Sequence, residues 1–145
     1  MIAYAQRAVQ LYQEAGEWHG VAQAYVVLGY SALTTNALTL ALSSFQQCLH
    51  LTLVRDLDCS YLAMVGLAEI ARCQTNPALA AQLFGAAERF SQRINLLDAR
   101  WKEMLYRPLL TVAHTQLRDG AYAAAWAEGQ SRPIDQAMQL ALAFA

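Results

Sequence analysis

A serine that follows a glycine is the first arrangement in this sequence that could support chemistry. Gly29-Tyr30-Ser31 matches half of the Gly-x-Ser-x-Gly elbow, in which a strained strand-to-helix turn exposes a nucleophilic serine. Leu33 stands where the second glycine is required, and the surrounding pattern is helical. We therefore interpret Gly29 as a helix-contact residue. A hydrolase would require Ser31 or a cysteine to be exposed beside a base.

The histidines and cysteines lack the spacing that metal or thiol chemistry requires. The histidines are widely separated, without a His-Glu-x-x-His pair, and the cysteines are odd in number, without a close pair. They are His19, His50 and His114, and Cys48, Cys59 and Cys73. We expect His19 in a loop, His50 packed or capping a helix, and free, buried thiols in a reducing compartment. The sequence thus predicts no metal, no cofactor and no enzymatic activity, in a cytoplasmic protein.

Charge and composition narrow the classes of partner. The 145 residues carry ten basic against eleven acidic side chains, whereas a nucleic-acid-binding surface would be strongly basic. We therefore predict no direct binding of DNA or RNA. Apolar residues make up 57% of the chain and turn-forming residues are few, which indicates an all-α fold. The most apolar stretch, 37–54, is interrupted by polar residues and predicts a buried helix, not a membrane span.

An internal repeat indicates how the helices are arranged. Two copies share their offsets: Leu28, Gly29, Ala32, Ala41, Phe45 and Cys48 in one, and Leu67, Ala68, Ala71, Ala80, Phe84 and Ala87 in the other. A partial third copy, Ala8-x-x-x-Tyr12-x-x-Ala15, opens the chain. Small residues on facing helices allow close approach, and the aromatic residue fills the space beside that contact. This spacing is typical of tetratricopeptide repeats, and an irregular helical bundle is the alternative.

Helix start and stop signals divide the chain into eight predicted helices. Gly16 is a typical residue just after a helix and predicts the end of the first helix. Asn36 predicts an N-cap before the third helix, and Asn76-Pro77 predicts the start of the fifth helix. Asp119-Gly120 predicts a turn, and Pro133 the first turn of the last helix. The predicted helices are 2–15, 20–34, 37–54, 59–74, 77–94, 99–118 (with Pro108 inside), 121–129 and 133–144.

These helices predict a single domain, 1–145, built as a right-handed stack of antiparallel helix pairs. It comprises a half repeat at 1–16, repeats at about 20–55 and 59–94, and a C-terminal helical cap at 99–145. Because the first helix lacks the helix that would precede it in a repeat, we expect the chain to be a segment of a longer array.

Two segments resemble a known family. Residues 76–88 (NPALAAQLFGAAE) and 121–129 (AYAAAWAEG), followed by Ala137 and Leu140-Ala141-Leu142, are similar to the C-terminal tetratricopeptide-like region of bacterial multidomain signal-transduction ATPases, including LuxR-type transcriptional regulators. The resemblance implies a helical region that senses inducers or partners and controls an ATPase core located elsewhere. Lys102, the only lysine, does not stand in a P-loop, so ATP hydrolysis does not carry over.

The repeat pattern also predicts a binding surface. In tetratricopeptide folds the first helix of each pair lines a concave groove that suits an amphipathic helix or an extended peptide. The groove positions given by aligning Gly29 with Ala68 and Ala113 are Gln23, Val26, Tyr30, Leu33, Leu62, Val65, Glu69, Arg72, Arg107 and His114. The alternative is that the C-terminal helices bury some of them.

The sequence therefore predicts a non-catalytic interaction and sensor module of a bacterial transcriptional regulator. Its partner would be a peptide or protein, foremost other domains of the same polypeptide. The alternative is a small-ligand receptor with a pocket between repeats. We also expect a homodimer through the first helix, where Ile2, Ala5, Ala8, Val9 and Tyr12 form an apolar face without a partner, unless that helix frays.

Overall fold

The computed structural model describes residues 1–52, 57–91 and 119–143. These parts of the chain are all-α and contain no strand. Their helices are α1 (Ile2–Ala15), α2 (Trp18–Thr34), α3 (Leu38–Thr52), α4 (Leu57–Cys73), α5 (Pro77–Ser91), α6 (Asp119–Ser131) and α7 (Ile134–Ala143). The fold class predicted from composition is thus confirmed at the level of an all-helical protein.

The helix boundaries follow most of the sequence signals, and two of the signals are corrected, at Asp119-Gly120 and at Asn36. Asn76 is the N-cap of α5, because its side-chain oxygen accepts a bond of 3.2 Å from the N–H of Leu79, and Pro77 is the first helical residue. The turn predicted at Asp119-Gly120 is wrong, since both residues belong to α6. An exposed glycine in the first turn of a helix is tolerated at a modest loss of propensity. The predicted helix 99–118 lies outside the described residues.

Three turns between helices share one backbone hydrogen-bond pattern. Gly16, Asn36 and Thr75 each adopt a left-handed conformation, with φ of 71°, 58° and 60°. The N–H of each bonds the carbonyl three residues earlier, and the next N–H bonds the carbonyl five residues before it, at 2.8–3.1 Å. This is the Schellman arrangement, which satisfies the last carbonyls of a helix. The turns at Asn36 and Thr75 are therefore equivalent and lie one sequence period apart.

The role predicted for Asn36 is corrected by this geometry. Asn36 ends α2, and the residue that precedes α3 at its N-terminus is Ala37, whose carbonyl accepts a 3.0 Å bond from the N–H of Ala41. Asparagine is one of the few residues besides glycine that adopts the left-handed conformation at low energy. Asn36 is thus a helix stop signal that lies two residues before the first residue of α3, Leu38.

Packing follows the order of the chain. Among the described helices α1 packs on α2, α2 on α3, α3 on α4, α4 on α5 and α5 on α6, while α7 lies against α3, α4 and α5. The core contains every residue of both repeat copies from the Leu-Gly or Leu-Ala pair onward, including Phe45 and Phe84. The ring of Phe45 fills the space beside Gly29 of α2 and Gly66 of α4. The aromatic residue of the first copy therefore packs against the small residue Gly29, as predicted, whereas close approach of Gly29 to Ala41 and of Ala68 to Ala80 stays a prediction.

Helix α1 is covered on the face that the sequence analysis expected to lack a partner. Ala5 and Val9 are buried, and Val9 forms a small cluster with Val21 and Ala24 of α2. Ile2 and Ala8 are half-buried. Tyr12, on the same face, stays 42% exposed, and Met1, Tyr4 and Leu11 are further exposed apolar side chains at this end of the chain. The expectation that this face lacks a partner is thus wrong for Ala5 and Val9, which α2 covers, whereas Tyr12 at the end of the face stays exposed.

Within the described ranges, none of the helices combines the length and the apolar character needed to cross a bilayer.

Candidate functional site

The exposed surface of α2 and α4 is the candidate interaction site. On α2, Gln23, Val27, Tyr30 and Thr34 follow one another at intervals of three or four residues, so they share one side of the helix. Gln23, Val27 and Thr34 are exposed and Tyr30 is half-buried. Helix α4 contacts α2, which brings the half-buried side chains of α4 alongside this stripe. We call this surface the α2–α4 face.

Tyr30 joins the two helices of this face. Its hydroxyl donates a 2.7 Å hydrogen bond to the carbonyl of Leu62 in α4. Its ring meets Phe45 edge-on, with the ring centroids 5.0 Å apart. Burial raises the pKa of Tyr30 well above its ordinary value, and the nearby Tyr61, Cys48 and Glu69 add to the shift. Tyr30 is therefore a neutral structural bridge rather than a titrating group.

An ion pair forms the charged part of the face, near the end of α4. The Arg72 guanidinium donates two hydrogen bonds to Glu69, with Nε–Oε2 at 2.8 Å and Nη2–Oε1 at 2.5 Å. The hydrogen bonds from Arg72 raise its pKa. Loss of hydration raises the pKa of the neighbouring Cys73 thiol, and the Glu69 carboxylate reinforces that rise. Cys73 is thus held as a thiol, which is the unreactive form.

The predicted groove residues divide into two groups. Gln23, Tyr30, Leu33, Leu62, Glu69 and Arg72 are exposed or half-buried and are accessible to a partner at least in part. Val26 and Val65 are buried in the core, so their assignment to the groove is wrong. The valine that faces outward is Val27, which is 50% exposed. Arg107 and His114 lie outside the described residues.

The serine, cysteine and histidine side chains considered as catalytic candidates are described next by their burial and their contacts. Ser31 is buried within α2, away from any strand-to-helix turn, and its carbonyl accepts a 2.7 Å bond from Thr34. Cys48 and Cys59 are buried, and the Cys48 thiol lies 3.6 Å from the carbonyl oxygen of Cys59. His19 belongs to α2 instead of the predicted loop, and His50 is exposed near the end of α3. No group of three metal-binding side chains occurs in the described part of the chain.

A cleft beside α1 is a feature that the sequence reasoning missed. It has a volume of about 260 Å³ and is lined by Tyr12, Gln13, Gly16, Trp18, Val21, Tyr25, Gln47 and Leu51. The signal that the sequence offers for it is the set of aromatic residues Tyr12, Trp18 and Tyr25. A cleft formed by two helices and the end of a third depends on tertiary packing, which the local pattern does not contain.

No family model, curated protein or solved structure matches this chain.

Proposed function

We propose that this chain is a non-catalytic interaction module made of tetratricopeptide-like repeats, stacked with a right-handed twist. It would bind a peptide or a partner domain through the α2–α4 face. The observation that carries the proposal is the structural equivalence of the α2–α3 and α4–α5 pairs. Their turns have the same hydrogen bonds, and all repeat positions from the Leu-Gly or Leu-Ala pair onward are buried in both.

The chemistry of the face supports a peptide or protein partner. Val27 and Leu62 offer apolar surface, Gln23 offers a carboxamide, and Glu69 with Arg72 offers paired charges that can also bond a main chain. A mixed lining of this kind suits an amphipathic helix or an extended segment.

The biological setting of the proposal comes from the resemblance to the sensor region of LuxR-type regulators. In that setting the chain is cytoplasmic, and its partner is another domain of the same polypeptide. The chain itself would contribute neither nucleotide hydrolysis nor DNA contacts.

Calorimetric titration of a purified neighbouring domain tests this proposal. The domain encoded directly upstream in the same reading frame is titrated into the chain and into a Val27→Asp variant. We expect at least a tenfold loss of affinity, because a carboxylate would be desolvated at the contact. Ala124→Asp places the same charge on an exposed position of α6 and serves as the control. Equal affinity of wild type and Val27→Asp, or no binding of the upstream domain, would contradict the proposal.

A small-ligand receptor is the second candidate, and the cleft beside α1 favours it. A thermal-shift screen against metabolites separates the two functions, since a large stabilisation by one small molecule would support the receptor.

A homodimer through α1 stays a prediction. The apolar side chains that a second copy could cover are Met1, Tyr4 and Leu11. Light scattering at micromolar concentration checks it, and a monomer with an ordered α1 would contradict it.

A further inference from the structure

We propose that the cleft beside α1 is a binding site for a small organic cation with an alkylated ammonium group. The site is separate from the α2–α4 face. Trp18, Val21 and Tyr25 line the cleft, whereas Gln23, Val27 and Tyr30 belong to the face. At 100° per residue, these two sets lie about half a turn apart around α2. The inference therefore goes beyond the proposed protein interaction.

Three aromatic side chains give the cleft its character. Tyr12 comes from α1, and Trp18 and Tyr25 come from the first two turns of α2. The Tyr12 ring lies against Gly20, where an added methyl group would come closer than 3.0 Å to ring atoms. Even so, Tyr12 is 42% and Trp18 is 40% exposed. Large aromatic side chains that remain uncovered beside a cleft indicate a surface that a ligand can cover.

The floor and the rim of the cleft differ in polarity. Val21 is buried with Val9 and Ala24, and Leu51 and Tyr25 pack against this small cluster, so the floor is apolar. Gln13 of α1 and Gln47 of α3 add carboxamide groups at the rim. A ligand with an apolar body and a hydroxyl or similar polar tail matches this distribution.

The charges around the cleft favour a cation. None of the lining residues is charged. Residues 1–52 contain two glutamates and a single arginine, without lysine or aspartate. Both glutamates, Glu14 and Glu17, are direct sequence neighbours of lining residues at the α1–α2 turn. The guanidinium of Arg7 donates a 2.8 Å bond to the Gln10 side chain. The charged residues next to the lining residues in the sequence are therefore both negative, and aromatic faces attract cations.

The size of the cleft points to a small molecule. At about 260 Å³ it is just below the usual range of ligand pockets, roughly 300–1,000 Å³, and too small to enclose a peptide segment. A simple ammonium ion would keep its tightly bound water. An alkylated ammonium group carries its charge on an apolar surface, which suits both the rings and the apolar floor.

Choline chloride is the probe for the test, with 3,3-dimethylbutan-1-ol as its uncharged counterpart of equal shape. Each is titrated into the full 145-residue chain while the ¹H–¹⁵N spectrum is recorded. We expect choline to cause saturable shifts of the Trp18 indole N–H and of amides at 12–18 and 47–51. The neutral alcohol should bind at least tenfold more weakly. Absence of saturable shifts with choline, or equal affinity for both molecules, would overturn the proposal.

Single substitutions test which side chains contribute to choline binding. Trp18→Leu keeps an apolar side chain but removes the aromatic face, and we expect about a tenfold loss of choline affinity. Glu17→Gln should weaken binding about threefold and reduce its dependence on salt. Tyr4→Leu removes an exposed ring of α1 outside the cleft and should leave the affinity unchanged. Circular dichroism verifies that each variant is folded. Unchanged affinity in Trp18→Leu, or an equal loss in Tyr4→Leu, would refute the site.

Discussion

Tyr12 and Phe45 occupy equivalent positions in two helices, four residues after the small residue of the repeat pattern, but their surroundings differ. Phe45 is fully buried between Gly29 of α2 and Gly66 of α4. Tyr12 rests on Gly20 of α2 on one side and is 42% exposed. The same pattern thus gives a core residue when helices lie on both sides of the ring.

This difference shows how one sequence pattern can serve two purposes. A ring enclosed on both sides stabilises the fold and is not accessible to ligands. A ring held on one side keeps a defined position while its other surface remains accessible. The region around Phe45 is therefore the stable centre of the fold, and the region around Tyr12 is suited to recognition.

Removal of the two rings should give the largest difference in the free energy of unfolding. We expect Phe45→Ala to lower the free energy of unfolding by about 3–5 kcal/mol, because it leaves a cavity beside two glycines. Tyr12→Ala should lower it by about 1 kcal/mol or less, because solvent already reaches the ring. Urea unfolding followed by circular dichroism measures both. Losses of similar size would show that the two positions are equally buried in solution.

Adding a methyl group beneath each ring tests whether the Phe45 and Tyr12 rings differ in their freedom to move. Gly66→Ala would place its Cβ closer than 3.0 Å to ring atoms of Phe45, which cannot move away, and we expect a loss of about 1–3 kcal/mol. In Gly20→Ala the Tyr12 ring can swing into solvent, so the loss should stay below about 1 kcal/mol.

Gly120→Ala is the control for these glycine variants. No atom of the described residues lies within 4 Å of the added Cβ, so we expect helix propensity to give a gain of about 0.5–1 kcal/mol. The same urea unfolding experiment measures it. If Gly20→Ala destabilised as much as Gly66→Ala, the mobility assigned to Tyr12 would be wrong.

Tyr30, which joins the central helices, should show a dependence on pH. At pH 7, Tyr30→Phe removes the bond to Leu62 and should lower the free energy of unfolding by about 1 kcal/mol. In the folded protein the pKa of Tyr30 lies above its ordinary value of 10.0, so above pH 10 the unfolded chain loses this proton first. Above pH 10 the free energy of unfolding of the wild type therefore falls by up to about 1.4 kcal/mol per pH unit because of this group. The Tyr30→Phe variant lacks the hydroxyl and does not show this loss.

Unfolding by urea at pH 7, 10.5 and 11.5 checks this expectation. The difference between wild type and Tyr30→Phe should shrink as pH rises. Tyr4→Phe, at a position 83% exposed, should match the wild type throughout. A constant difference across the three pH values would mean that Tyr30 ionises alike in both states.

Substitutions in the turns should change the free energy of unfolding the least. Thr75 is β-branched and has a φ of 60°, so Thr75→Gly should raise the free energy of unfolding by up to about 1 kcal/mol. Asn36→Gly should give a smaller gain, since asparagine tolerates this conformation. Thermal unfolding of both variants measures the gains. Destabilisation by Thr75→Gly would indicate that the threonine side chain, not the backbone, determines the turn.

Much of the fold could be predicted from sequence because its determinants are local. The bounds of α1, the stop at Gly16 and the start at Asn76-Pro77 follow from neighbouring residues. Surface assignments were less certain, because they depend on rotation of a helix against its neighbours. Val26 and Val27 are adjacent and chemically identical, and only packing decides which one is buried. Both valines stand three or four residues from Gln23 and from Tyr30, so the spacing alone does not distinguish them.

The cleft beside α1 was the part of the structure that the sequence predicted least well. Tyr12 matched the repeat pattern, so the pattern assigned it to an apolar packing face. Its accessibility depends on the arrangement of α1, α2 and the end of α3, which brings together residues separated by more than thirty positions. For the same reason the cleft could not be derived from any single segment.

The three equivalent turns also have a mechanical consequence. Each is closed by hydrogen bonds between backbone atoms no more than five residues apart. Contacts that close short loops form quickly, so a helix pair can fold before distant parts of the chain have met. When the chain is pulled from its ends, we expect it to lengthen in steps of one helix pair. The 39-residue period from Asn36 to Thr75 would release roughly 130 Å of extended chain. A stretch of this kind behaves as a spring with discrete states.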